Sequence, residues 1–307
     1  MKFTVEYPVS AAGYDPALVT GAGMARVARA ADEFGFDSIA FTEHPAPSKR
    51  WLDAGGHESL DLAAALSYCA AVTSRIRLMT YLMVLPYRNP FLSAKALTTV
   101  DVLSDGRLTV VAGTGYLRSE FRSLGVDFEE RNELFDEALA AMRGVWTTVP
   151  FTYRGRHFEA DGVAALPRPV QFGGPPVWIG GNSALSRRRA ARNQGWSPMM
   201  ASEEVARTTR SPVIATVGRL ASMITEVREL AVAERGDGAV VDVQVQSAAS
   251  GYLKNPGSVE EHRDLLGRLA EAGVTSFVLH PPAVGVDAAV DALQGYAETF
   301  GLRRAAP

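Results

Sequence analysis

Three short stretches of this chain carry groups capable of chemistry at the ends of apolar runs. In Asp37-Ser-Ile-Ala-Phe-Thr-Glu-His-Pro45, Ile39 to Phe41 give way within one position to Thr42, Glu43 and His44, and Pro45 stops the run. Histidine titrates near neutral pH and serves as a general acid or base. Successive strand residues point to opposite faces, so Glu43 and His44 are not both aimed at one site, and His44 is expected to be the inward one. Trp51 and His57 follow in the same loop and, with Glu43, are expected at a substrate pocket. Gly113-Thr114-Gly115-Tyr116 would let backbone pass close to a flat ligand, although a Gly-x-Gly turn serves structure equally well. Ile179-Gly180-Gly181-Asn182-Ser183 turns from a strand through two glycines into a helix start, with Asn182 or Ser183 as the cap. Free amides and the helix dipole there favour an anion, most simply a phosphate, and Arg187 follows on the same face. The alternative is an ordinary glycine turn leading into a solvated cluster, Arg187 to Arg189.

Other uses of these residue types fit less well. A metal would recruit His44, His57 and His280, but neither paired histidine spacing nor a carboxylate cluster accompanies them, so no metal is expected. The single cysteine, Cys69, lies in the apolar run Ala63 to Val72 and reads as a packing thiol.

The elements that must position these groups alternate along the chain. Phe3, Val5 and Tyr7 alternate with Lys2, Thr4 and Glu6 in a first strand. Further strands are expected at Ser38 to Thr42, Arg77 to Val84, Leu108 to Ala112, Val177 to Ile179, Trp196 to Met199, Val240 to Gln246 and Ser276 to Leu279. Helical patterns run over Pro16 to Phe34, Leu60 to Thr73, Phe91 to Leu103, Glu129 to Trp146, Ser183 to Asn193, Leu220 to Glu234, Val259 to Ala272 and Val286 to Phe300. Pro45 to Gly56 reads as irregular loop, and Met200 to Ser211 takes no defined element. Strand then helix, eight times over, demands a parallel sheet; without a Rossmann-type glycine fingerprint, the α/β pattern favours a TIM-like (β/α)8 barrel, with a doubly wound sheet as the lesser alternative. The segment 150–176, rich in Pro and Gly with a hairpin around Gly155, is an insertion before the fifth barrel strand, within a single domain spanning 1–307. With the loop Ala46 to Glu58, it is expected to line or cover the pocket.

Bulk properties agree with a soluble globular protein. The chain has 307 residues, 47% hydrophobic and 21% charged, with a net charge of −3. Interspersed charges argue against a nucleic-acid partner. No apolar run of about 18 residues points to a membrane, and the N-terminus does not read as a signal peptide, so a cytoplasmic location is expected.

Thr42-Glu-His-Pro45, Leu85-Pro-Tyr-Arg-Asn-Pro90, Leu103-Ser-Asp-Gly-Arg107, Gly113-Thr-Gly-Tyr-Leu-Arg-Ser-Glu-Phe121 and Ile179-Gly-Gly-Asn-Ser183 together resemble the luciferase-like monooxygenase superfamily. More narrowly, they are similar to its coenzyme F420-dependent oxidoreductase branch, whose motifs FMN-dependent members largely share. The resemblance spans nearly the whole chain. It implies a TIM-like barrel, usually a homodimer, with the tricyclic ring across the carboxyl ends of the strands. His44 would face the reactive ring as the catalytic residue. Tyr81 and Leu82 match a non-proline cis peptide that buttresses the ring, Gly113 to Tyr116 a segment beside the ring and ribityl chain, and Gly180 to Ser183 the phosphate cradle. In the sugar-phosphate dehydrogenases of the branch a glutamate stands in place of Tyr116. Its absence argues against that activity and leaves Tyr116 to donate a hydrogen bond to substrate.

The resemblance thus implies hydride transfer between F420 and a small organic substrate. The alternative keeps the barrel but uses FMN and O2, with reduced flavin supplied by a partner reductase.

Overall fold

The computed structural model describes residues 1–10, 13–201, 203–208 and 211–302. Eight parallel strands close into a barrel: β1 (Lys2–Glu6), β2 (Ser38–Phe41), β3 (Arg77–Val84), β4 (Leu108–Gly113), β7 (Val177–Gly180), β8 (Gly195–Ser197), β9 (Asp242–Val245) and β10 (Ser276–Leu279), with β10 returning to β1. The intervening β5 (Phe151–Arg154) and β6 (Glu159–Val163) form a separate antiparallel hairpin.

Alternation along the strands sorts the side chains. Phe3, Val5, Ile39, Leu78, Val110, Ile179, Val243 and Phe277 join the apolar layer beneath the helices, so their neighbours in sequence face the lumen. On one side the lumen is apolar, with Ala40, Met79, Val111 and Trp178 in contact beneath Tyr81 and Leu82. On the other it is polar: Thr4 donates to Gln244 Oε1 at 2.6 Å, and Ser276 Oγ lies 3.2 Å from Thr4 Oγ1. Gly195 leaves room for the Trp178 ring, which an added Cβ would meet at 2.3 Å.

The outer layer comprises α1 (Gly21–Glu33), α3 (Leu62–Val72), α4 (Pro90–Leu103), α6 (Arg131–Thr147), α7 (Ala184–Ala191), α9 (Val217–Arg235), α10 (Val259–Glu271) and α11 (Val286–Phe300); α2 (Lys49–Asp53), α5 (Arg118–Ser123) and α8 (Glu203–Thr208) are short. The helical pattern from Pro16 to Phe34 divides in two, because Thr20 is extended and caps α1 through Gly23 N–H. The loop after β2 is not wholly irregular, since Ser48 caps α2 within it. In the stretch Met200 to Ser211, α8 is present, while residues 202, 209 and 210 lie outside the described residues. Cys69 is sealed in the core, and burial pushes its thiol up to about 12, which suits packing rather than nucleophilic chemistry.

The insertion does not cover the barrel mouth. Its hairpin docks on α6: Glu137 accepts the His157 and Phe158 amides, and Gly144 makes way for the Phe151 ring. Further on, Gln171 holds Asp101 and the Leu108 carbonyl, at the opposite, amino-terminal end of β4. The expectation that 150–176 lines the pocket is therefore corrected.

Candidate active site

His44 lies three positions after Phe41, the last residue of β2, and its ring gathers the aromatic groups anticipated around it. Ring centroids lie 4.5 Å away for Trp51, 4.9 Å for His57 and 6.0 Å for Tyr116. The backbone explains this clustering. Ser48 starts the α2 turn that carries Trp51, and Gly56 passes beneath the indole, where a Cβ would come within 2.4 Å. The His44 amide donates to Ser59 Oγ at 2.8 Å, fixing the start of the loop. Burial disfavours the charged form of His57, lowering its pKa, and raises the Tyr116 phenol to about 12.

Sequence reasoning missed Glu120. Its fully buried carboxylate lies 3.1 Å from His44 Nδ1 and accepts from the Ala46 amide at 3.1 Å and Tyr87 OH at 2.9 Å. Flanked by Arg118 and Arg122 on a short helix, Glu120 reads in sequence as a solvated position. The one available signal was Phe121 beside it, whose burial on so short a helix carries Glu120 inward.

Glu43 requires correction as a pocket residue. Its carboxylate is 6% exposed, accepts the Val84 amide at 2.6 Å and pairs with Arg88. Burial raises its pKa, opposed by the Arg88 guanidinium and the Val84 amide. Glu43 thus clamps the end of β3 while its neighbour His44 enters the pocket.

The Tyr81–Leu82 peptide is cis, and the pairing of β3 with β4 shifts register between Thr80 and Met83. Tyr81 OH donates to Gln246 Oε1 at 2.7 Å across the mouth. Leu82 also revises the meaning of two glycines. A Cβ on Gly113 would come within 2.5 Å of Leu82 Cδ1, and one on Gly180 within 2.3 Å of Leu82 Cδ2. The clearance expected to admit a ligand at these two positions is filled by leucine. Gly115 has φ +73° and packs against Val84 and Phe121, and Thr114 is half-buried.

At the β7–α7 turn, Gly181 adopts φ +98° and Ser183 caps α7 by accepting the Ser186 amide at 3.0 Å. Asn182 is 2% exposed, and its amide group bonds Met199 N–H and the Met199 and Pro212 carbonyls, so its side chain ties loops together rather than awaiting a ligand. Arg187 donates to the Asn182 carbonyl at 2.9 Å and lies 3.0 Å from Glu226, so a carboxylate already balances its charge. What remains fits an anionic group: a side-chain-free Gly181 and the opening amides of α7, which have no acceptor within the helix. Of the three histidines considered for a metal, His44 and His57 are ring neighbours, while His280 pairs elsewhere. His44 turns to Glu120, whereas His280 Nε2 lies 3.0 Å from Glu6 across the ends of β10 and β1.

The sequence profile of luciferase-like monooxygenases matches residues 1–219, most of the barrel. The chain belongs to that family. Among curated relatives, the FMNH2-dependent dimethylsulfone monooxygenase of Pseudomonas fluorescens is 34% identical over 143 residues, covering 46% of this chain and 38% of that protein. An F420-dependent glucose-6-phosphate dehydrogenase of Nocardia farcinica is 31% identical over 171 residues, covering 54% and 49% respectively. These alignments thus span about half or less of the relatives' own length. Among solved structures, the monooxygenase RslO1 of Streptomyces bottropensis superposes with a TM-score of 0.74 at 21% identity, covering 98% of both chains. An F420-dependent secondary alcohol dehydrogenase, solved with an F420–acetone adduct, also gives 0.74 at 17% identity, covering 99% of this chain and 100% of that one. At such identities the structural likeness establishes the fold.

Proposed function

We propose that this luciferase-like oxidoreductase transfers a hydride between coenzyme F420 and a small organic substrate. The observation that carries this reading is the placement of His44 beside Trp51 and Tyr116, with Nδ1 directed to Glu120. When bound, the deazaflavin would supply the centre that gives or takes the hydride. His44 holds or moves the accompanying proton at Nε2. Trp51, His57 and Tyr116 orient the substrate and exclude water, with Tyr116 donating a hydrogen bond. The Tyr81–Leu82 shelf, seated on Gly113 and Gly180, would support the ring together with Thr114 and Gly115, and the turn from Gly181 to Ser183 its phosphate, through backbone amides rather than the Asn182 side chain. The protein would act as a cytoplasmic homodimer on a small molecule, without a nucleic-acid or membrane partner.

Titration with each cofactor tests this. Binding of F420 is expected; micromolar binding of FMN with none of F420 would overturn it. His44→Ala is expected to spare cofactor binding and lower turnover roughly 10²–10⁴-fold, and unchanged turnover would remove His44 from the chemistry. The 34% identity to an FMNH2-dependent monooxygenase favours a second reading, FMN with O2 and reduced flavin from a partner reductase.

A further inference from the structure

We propose that Glu120 is a positioning residue that sets the tautomer of His44, keeping hydrogen on Nδ1 and leaving Nε2 as the open position. The carboxylate is fully buried and accepts from two donors, the Ala46 amide on Oε1 at 3.1 Å and Tyr87 OH on Oε2 at 2.9 Å, while His44 Nδ1 faces Oε2 at 3.1 Å. An ionised carboxylate only accepts hydrogen bonds, so the imidazole nitrogen facing it must carry the hydrogen. In the neutral ring Nε2 then holds the lone pair, and when Nε2 takes a proton the same carboxylate balances the charge. Glu120 acts through His44 and need not touch substrate. Only its kinetic consequence rests on the function proposed above.

The test uses the full-length protein carrying 15N-labelled histidine. The chain has five histidines, and the His44 signals are assigned by their loss in His44→Gln. The wild-type ring is expected as the Nδ1–H tautomer without any cofactor; an Nε2–H ring overturns the proposal. In Glu120→Gln the Ala46 amide cannot reverse its role, so the new carbonyl oxygen turns to it and the NH2 group faces Nδ1. The tautomer is then expected to move to Nε2–H, and an unchanged ring overturns the proposal. Tyr87→Phe removes a neighbouring donor but keeps the carboxylate, and should retain Nδ1–H; a shift equal to that of Glu120→Gln would implicate general disturbance instead. Should Glu120→Gln not fold, the wild-type spectrum alone decides the tautomer. With whichever cofactor binds, Glu120→Gln is expected to lower kcat roughly 10–100-fold, as loss of an orienting carboxylate does elsewhere, with little change in KM. Because the spectrum is read without cofactor, failure of the F420 reading leaves this result standing, and failure here leaves the cofactor titration untouched.

Discussion

Glu43 and His44 are consecutive titratable residues, yet the chain sends them to opposite faces. Glu43 meets the Val84 amide and Arg88, whereas His44 meets the pocket aromatics and Glu120. Replacing Glu43 should therefore damage the fold before the chemistry. Glu43→Ala leaves the buried amide and Arg88 without their acceptor, and is expected to cost roughly 1–3 kcal/mol in urea unfolding. That is less than for a sealed pair, because Arg88 keeps some contact with solvent. An unaffected unfolding midpoint would show that Glu43 is no clamp. Strand alternation made the separation of this pair legible in sequence. Their partners were not: Glu120 is 76 positions from His44, and Arg88 is 45 from Glu43. Only closure of the barrel brings them together.

At the scale of elements, Leu82 decides what two neighbouring strands can be. It is caught between the Gly113 and Gly180 backbones, so its tip cannot yield to one side without striking the other. Gly180→Ala is expected to destabilise the protein by about 1–3 kcal/mol through overpacking, and Gly180→Ala combined with Leu82→Ala to lose less than the two single changes sum to. Additive losses in thermal unfolding would break the argument. The eight strand–helix units were legible because hydrophobic period and turn residues mark them, and α11 falls where its pattern predicts. What escaped detection was short or non-local. The five-residue α2 has too little length for periodicity, and the hairpin's choice of α6 over the barrel mouth depends on Gly144 and Glu137, which read in isolation as ordinary helix residues. The glycine turns were found, but one sequence cannot distinguish space left for a ligand from space taken by a leucine.

Across the whole molecule, buried histidines couple folding to acidity. Burial lowers the pKa of both His57 and His262 from the ordinary 6.5, and His262 Nε2 lies 3.1 Å from Tyr296 OH between aromatic rings. The unfolded chain binds these protons more readily, so their contribution to stability is complete above pH 6.5 and is lost as pH falls through the lower folded values. Asp37 and Glu43, whose pKa values burial raises, act oppositely at lower pH. The histidine effect is therefore read as a difference: wild-type stability should fall more between pH 7 and 5.5 than that of His262→Gln, and parallel curves would refute it. A last consequence follows from the double grip of Glu120 on the His44 ring and the Ala46 amide. Chain between Ala46 and Ser59 can be lengthened, shortened or exchanged while these anchors of His44 are kept, because Glu120 and Ser59 both lie outside the residues that would change. The loop carrying Trp51 and His57 is accordingly an interchangeable part, and grafting loops of other lengths between Ala46 and Ser59 should alter which substrates are accepted while the His44 tautomer stays the same.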